Sequence, residues 1–186
     1  MARTLSVEVR AALDAAVDEI VYAQGVHAGC VDDICAAAGV GKPAFYRHYG
    51  SRDEMLVDYL RRRRTQRCAA ILAAVDAAGT SPTERVLAFV DWVADWIESD
   101  DFVACGFHRA LLQRPLGLEE LRELTLLQKT WVLDLIEGEL GPSASGASTA
   151  RHLFLLVEGA MAAAMYEPGR PSGEDLRALA RTVLAR

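Results

Sequence analysis

No run in this chain is long and apolar enough to cross a bilayer. The longest apolar stretch, residues 153–166, is interrupted by Glu158 and falls short of the roughly 20 residues a span needs. The N-terminal MARTLSVEVR lacks the apolar core of a signal peptide, so the protein is expected to stay in the cytoplasm with no membrane partner. Cysteine is sparse. Cys30, Cys35, Cys68 and Cys105 make no disulfide-like spacing, and a reducing compartment would keep them as thiols. Paired carboxylates, a glycine-rich phosphate loop and a metal set are missing too, so no enzyme activity and no cofactor is expected. His27-x2-Cys30-x4-Cys35 can be drawn as a metal set, but His27 and Cys30 fall in a loop while Cys35 falls at a helix packing position. Cys105 and His108, three apart on one helix, leave two readings open: a thiol activated by a nearby imidazole, or a buried inert one. Strand alternation and long-period repeats are also absent. The remaining signal is helical.

A net charge of −6 argues, for the chain as a whole, against a nucleic-acid partner. Its distribution weakens that argument. The first 64 residues carry nine basic and nine acidic side chains, so the excess of acid lies entirely beyond them. A neutral head on an acidic body is compatible with DNA contact through a few placed cations.

Residues 31–49, VDDICAAAGVGKPAFYRHY, read as two short helices across one corner. Ile34 and Ala38 share a face with Cys35 beside them, and Gly39 supplies a left-handed stop with Val40 as an apolar plug. Pro43 is tolerated in the first turn of the next helix, and Phe45 faces inward. This is the spacing of a helix-turn-helix, whose second helix enters the DNA major groove. Together with LDAAVDEIVYAQGV before it and GSRDEML after it, the stretch resembles the N-terminal domain of TetR/AcrR-type one-component transcriptional regulators.

The other elements follow in order. Ser6 caps a first helix that carries Leu13, Ala16, Val17, Ile20 and Val21 inward, and Gly25 ends it. Ser51-x-x-Glu54 is a capping box opening a long rod to about residue 78, within which Arg61 to Arg64 read as a solvated face pairing with nearby Asp and Glu. Ser81-Pro82-Thr83-Glu84 opens a fifth helix with Leu87, Phe89, Val90, Trp92, Val93, Trp96 and Ile97. A short helix is expected over 102–112, ended by Pro115 and Gly117. A longer one is expected over 118–140, with Leu121, Leu124, Leu127, Trp131, Leu135 and Ile136 inward. GPSASGAST, residues 141–149, reads as a loop; an apolar helix follows over 149–166, and Ser172 caps the last one. The fold class is all-α.

The resemblance implies a helix-turn-helix DNA-binding domain over residues 1–50 and a larger helical ligand-binding and dimerisation domain over 51–186. The chain departs from the family pattern at three places. Gly29-Cys30 stands where a Thr or Ser usually caps the second helix, and Gly41 and Ala44 stand where hydroxyl residues flank the lysine. The DNA-contacting set carried over is Lys42, Pro43, Ala44, Tyr46, Arg47 and His48, with Arg52 at the next helix N-terminus. For a small apolar or aromatic effector the set is Trp92, Trp96, Phe102, Phe107, His108, Trp131, Phe154, Glu158 and Met161. Glu158 in an apolar helix is expected to meet an arginine across a dimer, a capping donor or a ligand. The implied function is a homodimeric repressor of a double-stranded DNA operator, released by the effector. The rival reading is an all-helical small-molecule carrier or enzyme that does not bind DNA.

Overall fold

The computed structural model describes residues 5–25, 30–100, 102–113, 119–166 and 172–185, and every regular element among them is an α-helix. The Ser6 hydroxyl accepts from the Val9 N–H at 3.3 Å to start α1 (Val7–Gln24), and Gly25 stops it at a φ of 90°. After α2 (Val31–Ala37) and α3 (Lys42–Tyr49) comes the long α4 (Arg52–Ala77). Next, α5 (Pro82–Glu98) opens on Ser81 with Pro82 in its first turn, as expected. The remaining helices are α6 (Gly106–Gln113), α7 (Glu119–Leu140), α8 (Ala144–Tyr166) and α9 (Ser172–Leu184). Two compact units divide them: Met1–Arg64 with Cys105–Thr125, and Thr65–Ala104 with Leu126–Arg186.

In the first unit α1, α2 and α3 pack on one another, with Leu13, Val17, Ile34, Phe45, Met55 and Leu56 fully out of solvent. Of Arg61 to Arg64, Arg61 is exposed and the other three are half-buried. Arg62 is bonded to Asp14, Asp18 and Asp58, Arg63 lies over the Tyr22 ring at 4.5 Å, and Arg61 pairs with Glu120. Consecutive arginines point to different sides of a helix, and here acidic and aromatic partners on α1, α4 and α7 take up the first three.

In the second unit α9 lies against α5 and α8. Contact with α5 is close enough that a Cβ on Gly173 would stand 2.5 Å from Glu98 Cδ and 2.8 Å from the Ala94 carbonyl oxygen. Ser172 is the first residue of α9 and is buried, so it does not cap from outside; Glu98 of α5 accepts from the Glu174 N–H at 3.0 Å instead. Arg177 completes the junction on Glu98, Asp95 and Asp91.

Two boundaries differ from expectation. The small polar residues after Pro142 are helical from Ala144, because the Ser143 hydroxyl accepts from the Gly146 N–H at 2.9 Å and caps the helix. Residues 102–105 are not helical. The Phe102 N–H closes a turn on the Ser99 carbonyl, and its ring packs edge-on to Trp96 at 4.9 Å, so α6 begins only at Gly106. The ends assigned to Pro115 and Gly117 lie outside the described residues. Along α7 the buried line is Leu121, Thr125, Gln128, Val132 and Ile136, while Leu127 is exposed. Thr125 stays inside by returning its hydroxyl to the Leu121 carbonyl, and Gln128 accepts from the Cys68 thiol at 3.5 Å.

Candidate nucleic-acid interface

The corner between α2 and α3 is built by hydrogen bonds that only a left-handed residue permits. Gly39 has a φ of 67°, its N–H donates to the Ala36 carbonyl, and the Val40 N–H reaches back to the Cys35 carbonyl at 2.9 Å. This paired closure satisfies carbonyls that the helix end would otherwise leave open. At the other end of α2 the Cys30 sulfur accepts from the Asp32 N–H at 3.3 Å, so a thiol does the capping that a hydroxyl does elsewhere. His27, Ala28 and Gly29 lie outside the described residues.

Helix α3 presents two faces. Phe45 is wholly buried, with the Tyr46 and Tyr49 rings 5.3 and 5.1 Å from it, and Tyr49 and Ala44 are buried beside it. Lys42, Pro43, Tyr46 and Arg47 are exposed. They occupy two neighbouring pairs one turn apart, which makes a single outward face. Lys42 pairs with Asp32 of α2 at 2.7 Å, and that bond, then the Asp32 charge, holds its ammonium above the usual lysine range. His48 turns inward, its Nε2 2.9 Å from Asp14 Oδ1. Gly50 ends the helix at a φ of 81°, where a Cβ would meet Glu54 Oε2 at 2.4 Å. Ser51 then accepts from the Glu54 N–H at 3.1 Å, and half-buried Arg52 opens α4.

One carboxylate ties this helix down. Asp14 of α1 accepts from the Tyr49 hydroxyl at 2.7 Å and from Arg62 of α4 at 3.1 Å, besides facing His48. Burial alone would raise its carboxyl, but the bonds from Tyr49 and His48 and the charge of Arg62 outweigh it and hold it below the usual carboxylate range. Burial, and then the bond to Asp14, pushes the Tyr49 hydroxyl far above the ordinary phenol range. Nothing in the sequence pattern singled out this hub, because its members lie 34 to 48 residues apart.

The residues expected around an effector are divided between the units. In the second unit Trp92 and Trp96 stand 6.1 Å apart on α5, Phe102 closes on Trp96, and Arg67 of α4 lies 3.5 Å over the Trp96 ring. Trp131 and Phe154 are half-buried there, and Met161 is buried. Glu158 pairs with Lys129 of α7 at 2.6 Å, both largely buried. A lysine one helix away neutralises it. Phe107 and His108 belong to the first unit, the former buried and the latter half-buried. Cys105 beside them is buried and forms no disulfide. Among the described residues no cluster suited to a metal ion occurs, and no helix is long and apolar enough to cross a membrane.

Comparison with known proteins agrees with the geometry of the corner. The sequence pattern of the bacterial regulatory proteins of the tetR family matches residues 12–59, which span most of α1, the corner and the start of α4. The HTH-type transcriptional activator FasR of Mycolicibacterium smegmatis is 32% identical over 141 residues, 75% of this chain and 64% of that protein. The chain thus spans under two thirds of that relative's length. The crystal structure of a TetR-family transcriptional regulator from Streptomyces coelicolor superposes with a TM-score of 0.88 at 29% identity, covering 99% of this chain and 91% of that one. A TetR transcriptional regulator from Chloroflexus aurantiacus shares the fold at a TM-score of 0.83 and 18% identity, over 96% and 95% of the two chains. With the motif, the nine helices among the described residues and these relatives in agreement, the chain belongs to the tetR family of bacterial regulatory proteins.

Proposed function

We propose that this protein is a DNA-binding transcriptional regulator that acts as a homodimer, represses its operator and is released by a small apolar or aromatic molecule. One observation carries the DNA reading: the outward face of α3, with Lys42, Pro43, Tyr46 and Arg47 exposed on a helix whose other face is clamped. A lysine and an arginine supply phosphate contact, and Tyr46 offers both a ring and a hydroxyl to base edges. Arg52 adds charge at the capped start of α4. Ala44 and His48 face inward and are left out of this surface. Capture of genomic fragments identifies the operator, and Lys42→Ala/Tyr46→Ala protein is expected to lose at least about tenfold in affinity, with a flatter salt dependence. Unchanged binding by the double variant would remove α3 from the interface. FasR is named an activator, and a transcription assay on the captured operator decides the sign: lower output with protein present supports repression.

Dimerisation is supported by the outer face of α8 and α9. Leu155 and Leu179 are 59% and 50% exposed beside Gly159, Ala160 and Ala163, around a groove of about 360 Å³. Small residues on such a face allow a twofold mate to approach closely.

The effector reading is supported within the second unit by Trp92, Trp96 and Phe102, an aromatic wall that also stacks a guanidinium. An effector is expected to shift tryptophan emission and release DNA over the same concentrations, and Trp96→Ala should weaken both by about tenfold, the loss of one buried aromatic contact. A compound that releases DNA equally from wild type and Trp96→Ala protein places the site elsewhere.

A further inference from the structure

We propose that Asp32 restrains DNA binding by holding the Lys42 ammonium in the free protein, its carboxylate standing in for a phosphate oxygen. This rests on the DNA-binding reading of α3. The two groups meet at 2.7 Å with side chains 54% and 65% exposed, so the pair lies open to an approaching polyanion. Lys42 is the first residue of α3, where helix geometry favours an anion, and the first turn of α3 carries no acidic residue of its own. Gly41, at the cap position, offers no side chain either. Asp32 of α2 supplies the missing negative charge. Its position is determined, because the Cys30 sulfur holds its N–H and the Gly39 closure sets the angle between the two helices.

Exchange then has a definite consequence. When Lys42 leaves Asp32 for a DNA phosphate, the carboxylate is left uncompensated and attracts a cation. Part of the counterion release that drives binding is thereby cancelled. Removing the carboxylate restores it. Asp32→Asn protein should bind a mixed-sequence DNA duplex and the captured operator more tightly by a similar factor, about three- to fivefold near 50 mM salt, since the contact is to phosphate. The slope of log affinity against log salt should steepen by about one per protomer.

Two matched variants separate this from a simple change in net charge. Asp33→Asn removes the same charge one residue along, from a carboxylate other than the one bound to Lys42, and should leave the slope unchanged. Asp32→Asn placed in Lys42→Ala protein should give no gain. Equal effects of Asp32→Asn and Asp33→Asn, or a gain that persists without Lys42, would overturn the proposal while leaving DNA binding intact. A wild-type protein that binds neither duplex, together with an Asp32→Asn variant that also binds neither, would overturn the DNA-binding reading itself.

Discussion

Replacing Arg62 by alanine is expected to destabilise the first unit by about 3 kcal/mol, the low end of what breaking one side of a buried ion pair costs. The low end applies because the partners retain partial solvent access, with Asp14 and Asp18 near one third exposed. Arg62 alone bridges Asp14, Asp18 and Asp58, so its loss leaves three carboxylates facing one another with α3 hung from one of them. All three tryptophans lie in the second unit, whereas helical circular dichroism reports both. Urea unfolding of the variant should therefore lose dichroism before tryptophan emission changes. Coincident curves at the wild-type midpoint would mean that the hub contributes nothing.

The same hub gives an acid dependence. Asp14 is held below its ordinary value in the folded chain, so the stability it contributes is fully present above about pH 4 and is lost as pH falls through its folded-state value. Arg62→Ala protein lacks one of the groups responsible. Its stability should fall less steeply with acid than that of the wild type.

Ala160→Glu is the second large effect. In the proposed twofold contact each copy brings one unpaired carboxylate into an apolar groove, costing several kcal/mol in total, and the dissociation constant should rise by more than about a hundredfold. Sedimentation at micromolar concentration should show a wild-type dimer and a folded variant monomer. A wild-type monomer, or a variant still dimeric alongside Leu155→Asp, would move the interface off this groove.

Much of the fold was legible because its signals are local. Ser6, Gly25, Gly39, Gly50, Ser51 and Ser81 act within a few residues of themselves, and each is found where its capping or turn chemistry requires. Helix extent was misread where local chemistry is weak or is overridden. The run after Pro142 looks like a loop by composition, yet a single serine cap is enough to start the helix there. Phe102 has an apolar helical pattern but is drawn to Trp96 instead.

By itself the sequence determined the all-helical class, the glycine corner and the family to which that corner belongs, since capping, periodicity and left-handed glycine are properties of short segments. Only the tertiary structure decided which charged groups are spent inside the protein. Lys42 and His48 look equally free in the sequence, and it does not say which groups meet Glu158 or the arginines of α4. Their partners Asp32, Asp14, Lys129 and Asp18 lie on other helices. A charge pair depends on distances of a few ångströms in space, and such distances exist only after the helices have packed.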